Sequence, residues 1–124
     1  MPRPILATIH TAAIQHNLAR ARQAAHDAKL WCVVKANAYG HGIENVFDGM
    51  RATDGFALLD LAEAKRIRAL GWTGPILLLE GIFSEQDLFD CHELGLSFSI
   101  HSEYQLEWLA RFPLEAQLEV DQEI

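Results

Sequence analysis

Short apolar runs alternate along the chain with polar stretches that have helical periodicity. Turn-forming residues bound each of these runs, which cover residues 30–36, 56–60, 75–80, 96–101 and 116–120. Continuous apolar runs of this length are typical of strands buried on both faces. From Phe56 to Ile76, Leu96 and Ala116 the step is 20 residues each time. This regular spacing predicts a series of β/α units around a parallel sheet.

The gaps between the runs carry the signals of helix ends. Side chains able to cap a helix start stand at Asp60, Ser84 and Ser102, because their oxygens accept the free backbone N–H groups of a first turn. Gly71 and Gly95 are expected to end helices. Each gap therefore predicts a helix that covers the sheet.

The first part of the chain precedes this regular series. Residues 5–10 are a strand candidate, and Thr11 is expected to cap the helix that follows. The apolar positions of that helix recur at helical spacing, at Ile14, Leu18, Ala21 and Ala25. A strand placed before a barrel-like repeat often pairs with something outside it, and the chain contains no obvious partner.

Two architectures are commonly built from alternating strands and helices of this kind, the closed (β/α)8 barrel and the open doubly wound sheet. The doubly wound alternative favours a glycine-rich turn after its first strand, and Gly40-His41-Gly42 lacks the G-x-G-x-x-G continuation. The prediction is therefore a partial (β/α)8 TIM-type barrel, with the first four to five β/α units preceded by a short strand and helix. A complete barrel takes about 250 residues, and this chain has 124.

Composition and charge exclude several classes of function. Half the residues are apolar, and ten Lys and Arg against seventeen Asp and Glu give a net charge of −7. This balance argues against a sequence-independent nucleic-acid binder, although an anionic phosphate ligand in a locally positive pocket remains open. No apolar stretch approaches the roughly 20 residues of a membrane helix, and no secretory signal is evident, so we expect a cytosolic protein.

The cysteines and histidines show no ligand spacing typical of a metal site. Cys32 and Cys91 each lie inside an apolar segment rather than in a C-x-x-C pair, so both are expected to be reduced core thiols. The six histidines form no H-E-x-x-H or other close motif. No metal is predicted.

Lys35 is the residue that departs from ordinary packing. It ends an apolar strand, and a loop containing Gly40 and Gly42 follows. In a barrel the carboxyl ends of the strands hold the active site. A partly desolvated lysine there presents a neutral amine that can attack a carbonyl and form a Schiff base. The alternative is a lysine whose ammonium group simply reaches solvent.

Residues 34–42, VKANAYGHG, resemble the pyridoxal-phosphate attachment motif of bacterial alanine racemases. The strands predicted at 56–60 and 75–80 also resemble the N-terminal half of that family, and the similarity fades after Glu119. The resemblance implies pyridoxal 5'-phosphate as cofactor and interconversion of L- and D-alanine, which supplies D-alanine for peptidoglycan. It also implies that Lys35 carries the cofactor and serves as the base on the D-alanine side, and that Tyr39 lies against the cofactor and its phosphate.

Other residues near the predicted strand ends receive smaller roles. Asn37 and His41 belong to the motif and are assigned mainly to shaping its loop, together with the glycines. Glu80 ends another apolar strand, where an unpaired carboxylate is costly, so it is a candidate orienting group. His101 is a candidate rim residue, with local hydrogen bonding as the alternative.

The resemblance also implies that much of a complete racemase is missing. In the family the second base is a tyrosine from the C-terminal β domain of the partner in a homodimer. We interpret residues 1–124 as the N-terminal part of the pyridoxal-phosphate-binding barrel, without the later barrel strands or the β domain, and expect no activity from it alone. Two alternatives remain, a non-catalytic pyridoxal-phosphate-binding barrel protein and an inert truncated fragment.

Overall fold

A computed structural model describes residues 3–112 of the chain. Eleven elements follow one another in these residues, including one 3-10 helix. In chain order they are α1 (Thr11–Ala25), β1 (Trp31–Val33), α2 (Lys35–Tyr39), α3 (Ile43–Val46), the 3-10 helix (Phe47–Met50), β2 (Gly55–Leu58), α4 (Leu61–Ala69), β3 (Ile76–Leu78), α5 (Glu85–Leu94), β4 (Ser97–Phe98) and α6 (Glu103–Ala110).

The four strands form one parallel sheet in the order β1-β2-β3-β4. Each strand pairs with the next one along the chain, and Phe56 of β2 stands opposite both Cys32 and Ile76. A doubly wound sheet reverses its strand order at a switch point, and none occurs among the described strands. The sequential order is that of a barrel built one β/α unit at a time, which confirms the predicted class for four units.

The core lies between the outer face of the sheet and its covering helices. Successive side chains of a strand point to opposite faces, and the side chains on the outer face are fully or almost fully buried: Val34, Phe56, Leu58, Ile76, Leu78 and Phe98. Ala64 and Ile67 of α4 and Leu88 and Cys91 of α5 complete this cluster. The helices therefore lie on one side of the sheet, as the helical ring of a barrel does.

The inner face of the sheet is more open. Trp31 and Val33 of β1 are 38% and 39% exposed, while Ala57 beside them is buried. The indole of Trp31 lies against Gly55, where an added Cβ would come within 2.7 Å of the ring. The concave side that the interior of a barrel occupies is thus partly uncovered at β1.

Helix ends largely follow the sequence signals. Asp60 Oδ1 accepts the backbone N–H of Glu63 at 3.0 Å, and Ser84 begins α5 with a capping box. Gly71 and Gly95 follow α4 and α5 with positive φ angles of 98° and 65°, a conformation that glycine adopts without steric cost.

Two predictions for the first part of the chain were wrong. Residues 5–10 form no strand, because a strand needs a neighbour for its backbone groups and none of the described residues supplies one. Ile5 and Leu6 are accordingly more than four-fifths exposed. Thr11 is the first residue of α1 rather than its cap, since His10 holds the capping position without a side-chain bond. The strand predicted at 116–120 lies outside the described residues.

Arg68 of α4 joins the loops at the amino end of the sheet. Its guanidinium group donates to the carbonyl oxygens of Leu94, Trp72, Gly74 and Gly95 at 2.6–3.1 Å. Desolvation by partial burial lowers the pKa of this group from its ordinary value. The sequence places Arg68 on the helix surface, and only the fold shows that it connects the loops before β3 and β4.

Candidate active site

Lys35 lies directly after the carboxyl end of β1. The preceding residue, Val34, is buried and donates its backbone N–H to the carbonyl of Ala57 at 2.9 Å, so β2 fixes the chain just before the lysine. Lys35 itself is half-buried. Its ammonium group forms no hydrogen bond or salt bridge with any residue in the described part of the chain. The predicted position at a strand end is confirmed.

The residues of α2 that follow Lys35 form a left-handed turn rather than a right-handed α-helix. Ala36, Asn37 and Ala38 have φ angles of 53–56° and ψ angles of 48–49°, and Tyr39 has a φ of 56°. Such angles cost about 1–2 kcal/mol for each residue that carries a Cβ. Four in succession are therefore an unfavourable local conformation, which the surrounding structure must stabilise.

Hydrogen bonds within the segment close this turn. The backbone N–H of Gly42 donates to the carbonyl of Asn37 at 2.9 Å. The side chain of Asn37 accepts the N–H of Ile43, the buried first residue of α3, at 3.1 Å. Gly40 and Gly42 have φ angles of 88° and 93°, so the two glycines of the motif occur where the backbone requires them.

Side chains of α4 reach the turn from outside. Arg66 Nη2 donates to Asn37 Oδ1 at 2.7 Å, and Glu63 Oε2 accepts the backbone N–H of Asn37 at 3.3 Å. Arg66 also pairs with both carboxylate oxygens of Glu44, with Nε at 2.7 Å from Oε1. The hydrogen bond from Arg66 is the main cause that lowers the pKa of Glu44 to about 2.

Tyr39 and His41 occupy different environments within the motif. Tyr39 is 59% exposed, and its hydroxyl has no hydrogen-bond partner among the described residues. The Nδ1 of His41 lies 2.9 Å from the carbonyl oxygen of Ala38. This contact agrees with the loop-shaping role predicted for His41, whereas Tyr39 presents a free hydroxyl beside the lysine segment.

Glu80 and His101 meet at the ends of β3 and β4. His101 Nε2 lies 2.9 Å from the carbonyl oxygen of Glu80, and the Glu80 side chain is exposed. The fully buried Gln105 donates to the carbonyl of Ile82 at 2.9 Å and accepts the N–H of His101 at 2.8 Å. Since β1 and β3 are two strands apart, this loop pair lies roughly 10 Å across the sheet from β1.

The two cysteines are free, as predicted. Cys91 is buried in the core, and burial, reinforced by the nearby carboxylates of Asp87 and Asp90, raises the pKa of its thiol to about 12. Burial also raises the pKa of Cys32. Neither thiol therefore has the lowered pKa of a reactive cysteine. Within residues 3–112 no three His, Cys, Asp or Glu side chains lie close enough together to hold a metal ion.

Comparison with known proteins identifies the family. The profile of the "Alanine racemase, N-terminal domain" family matches residues 9–123. The chain belongs to this family. Among relatives, it is 70% identical over 110 residues to alanine racemase of Acidovorax sp. (strain JS42) and 66% identical over 120 residues to that of Acinetobacter baumannii (strain SDF). These alignments cover 89% and 97% of the chain but only 30% and 33% of the relatives.

Solved alanine racemases have the same fold over this part. The structure from Acinetobacter baumannii superposes with a TM-score of 0.80 at 40% identity, over 83% of this chain and 31% of that one. Biosynthetic alanine racemase from Pseudomonas aeruginosa gives 0.81 at 40% identity, over 88% and 31%. The four β/α units are thus part of the family's barrel domain, and the chain spans about a third of its relatives' length. In residues 3–112 no helix has the length and apolar character needed to cross a membrane.

The sequence did not reveal Arg66 and Glu44 as part of this site. They lie 29 and 7 positions from Asn37 in the chain, and each is an ordinary charged residue on a helix. Their convergence depends on how α4 packs beside α3. Charged residues are common on exposed helix faces, so nothing in the sequence indicates that these two residues meet Asn37.

Proposed function

We propose that this chain provides the cofactor-binding lysine of an alanine racemase, with Lys35 as the residue that bonds to pyridoxal 5'-phosphate. The observation that carries the proposal is the half-buried amine of Lys35 at the end of β1, which pairs with no residue in the described part of the chain. It is therefore accessible to the carbonyl carbon of a ligand, which a primary amine attacks.

The residues around Lys35 fit this cofactor. Its aldehyde carbon requires a primary amine, which Lys35 supplies, and the free hydroxyl of Tyr39 follows on the same turn. A tyrosine hydroxyl donates to phosphate oxygens, and its ring offers an apolar surface to an aromatic cofactor. We therefore assign Tyr39 to cofactor binding and Lys35 to both binding and catalysis.

Pyridoxal phosphate, when bound, withdraws electrons from the substrate and makes the hydrogen on its Cα acidic. Lys35 would hold this group through its side-chain amine, and Lys35 Nζ, when not bonded to the group, would be a base close to the substrate Cα. In this position Lys35 Nζ accepts the Cα proton in one direction and returns it in the other. The left-handed turn that follows Lys35 restricts the backbone of Lys35 itself. The turn therefore determines the position from which the Lys35 amine acts.

A racemase needs a second proton donor on the opposite side of Cα. Tyr104, the other tyrosine of the chain, lies on α6 with its ring packed against Trp108 at 4.8 Å between centroids, and it is far along the chain from the lysine segment. We propose that this second group comes from a partner subunit in a homodimer. Residues 1–124 alone therefore carry one of two bases and are expected to be inactive.

The wider assignment follows from the same proposal. The product, D-alanine, serves peptidoglycan synthesis, and the protein acts in the cytosol. Identities of 66–70% to proteins named alanine racemase support a racemase over a non-catalytic pyridoxal-phosphate-binding barrel.

Chemical labelling tests the assignment of Lys35. The chain has three lysines, and Lys29 and Lys65 are exposed while Lys35 is half-buried. Incubation with pyridoxal phosphate, reduction with borohydride and peptide mapping are expected to place the label mainly on Lys35. Lys35→Arg is expected to abolish that label, whereas the matched variant Lys29→Arg keeps it. Equal labelling of all three lysines would refute the assignment.

Activity measurements test the proposal that residues 1–124 contain only one of the two bases. The 124-residue chain loaded with cofactor is expected to leave D-alanine unchanged when the product is followed by chiral chromatography. Racemisation that depends on Lys35 would show that the chain contains both bases, contrary to the proposal.

A further inference from the structure

The left-handed turn needs contacts from outside its own segment. Four successive residues, none of them glycine, have left-handed backbone angles, which are locally unfavourable. In the described part of the chain, every side-chain hydrogen bond that reaches residues 36–39 from outside residues 35–46 comes from α4. One involves the Asn37 backbone and Glu63, and the other involves the Asn37 amide oxygen and Arg66.

Arg66 contacts two parts of the lysine segment, residues 35–46, which comprises the left-handed turn and α3. Its guanidinium group binds Asn37 in the turn and Glu44 in α3, the helix that follows the turn. Asn37 Oδ1 in addition accepts the N–H of Ile43. One guanidinium group therefore holds the turn and the start of α3 at a defined position on α4, with a planar fork of donors that a lysine does not possess.

This arrangement has little value for overall stability. The side chains of Arg66 and Glu44 are 37% and 50% exposed, and exposed ion pairs contribute little to stability because water screens them. Neither residue forms a bond to Lys35. We therefore expect this contact to affect the position of the turn more than the free energy of unfolding.

We propose that Arg66 is a positioning residue for Lys35, acting through Asn37 and Glu44 to hold the left-handed turn against α4. The proposal rests on the proposed function, in which Lys35 reacts with pyridoxal phosphate. Arg66 does not touch the reacting atoms. It restricts the backbone from which the Lys35 amine extends.

The test compares Arg66→Met with Arg51→Met in the 124-residue chain. Arg51 pairs with Asp48 at 2.9 Å, is 60% exposed and makes no side-chain hydrogen bond to residues 36–39. Its guanidinium group also lies 4.6 Å from the centre of the Phe47 ring, so this variant controls for loss of an exposed ion pair together with one packing contact. Three quantities are measured: the rate of pyridoxal-phosphate labelling at Lys35 relative to Lys29, the hydrogen exchange of the Ile43 amide, and the free energy of unfolding.

Arg66→Met is expected to lower the labelling rate at Lys35 relative to Lys29 about tenfold, because misplacement of a reacting group by a fraction of an ångström carries a penalty of this size. The Ile43 amide is expected to exchange faster, and the unfolding free energy to change no more than in Arg51→Met. Glu44→Gln keeps the shape of its side chain and is expected to fall between the wild type and Arg66→Met.

Unchanged relative labelling with unchanged Ile43 exchange would overturn the proposal, as would equal effects of the two arginine variants. If Arg66→Met fails to fold, Glu44→Gln decides by the same two measurements. If the wild-type chain shows no preference for Lys35, the proposed function fails, and Ile43 exchange alone then decides whether Arg66 holds the turn.

Discussion

Replacing Ala36 by glycine is expected to stabilise the protein, the reverse of what this substitution does in an ordinary helix. Ala36 has φ 53° and ψ 49°, and it is exposed. Alanine pays about 1–2 kcal/mol in this conformation. Glycine avoids that cost but loses about 0.5–1 kcal/mol through the greater freedom of the unfolded chain. The difference is an increase of up to about 1.5 kcal/mol in the free energy of unfolding.

The matched control is Ala21→Gly in the middle of α1. Ala21 is also exposed, but it lies in a regular right-handed helix, where glycine costs about 1 kcal/mol relative to alanine. Urea unfolding followed by circular dichroism measures both variants. The two substitutions are expected to change stability in opposite directions.

The result that would refute this reasoning is a loss of stability in Ala36→Gly as large as in Ala21→Gly. It would mean that Ala36 does not hold a left-handed conformation in solution. The argument for Arg66 as a positioning residue would then lose its premise, since a relaxed turn needs no external support.

Other predictions concern pH and packing. The pKa of Glu44 is about 2 rather than 4.5 in the folded chain, so its contribution to stability is present above pH 4.5 and is lost as the pH falls towards 2. Asp54, whose pKa is also lowered, acts in the same direction. Because the pair of Glu44 with Arg66 is exposed and screened by water, Glu44→Gln is expected to flatten the acid limb of a stability profile only slightly. Gln105→Leu is expected to cost about 2 kcal/mol in urea unfolding, because it leaves buried backbone groups without partners. Gly81→Ala, where φ is 80° and a Cβ would overlap a carbonyl after β4, is expected to lower the thermal midpoint more than Gly71→Ala, where φ is 98° but the space is open.

The local features of the fold were predictable because their causes lie close together in the sequence. The apolar runs identified all four described strands, and Asp60 and Ser84 marked helix starts through bonds to residues three positions later. The position of Lys35 followed in the same way from the end of an apolar run. The strand predicted at residues 5–10 does not form because a strand needs a neighbouring strand, which an apolar run in the sequence cannot guarantee.

The sequence by itself determined the four described strands, the parallel class, the family resemblance and the position of the candidate lysine, since apolar periodicity, capping and a contiguous motif are all local properties. Only the tertiary structure decided the left-handed path of residues 36–39 and the convergence of Arg66, Glu44 and Asn37. Left-handed angles at residues other than glycine are locally unfavourable, so no local rule predicts them. They persist through contacts between α4 and the lysine segment, which become neighbours only when the β/α units pack side by side.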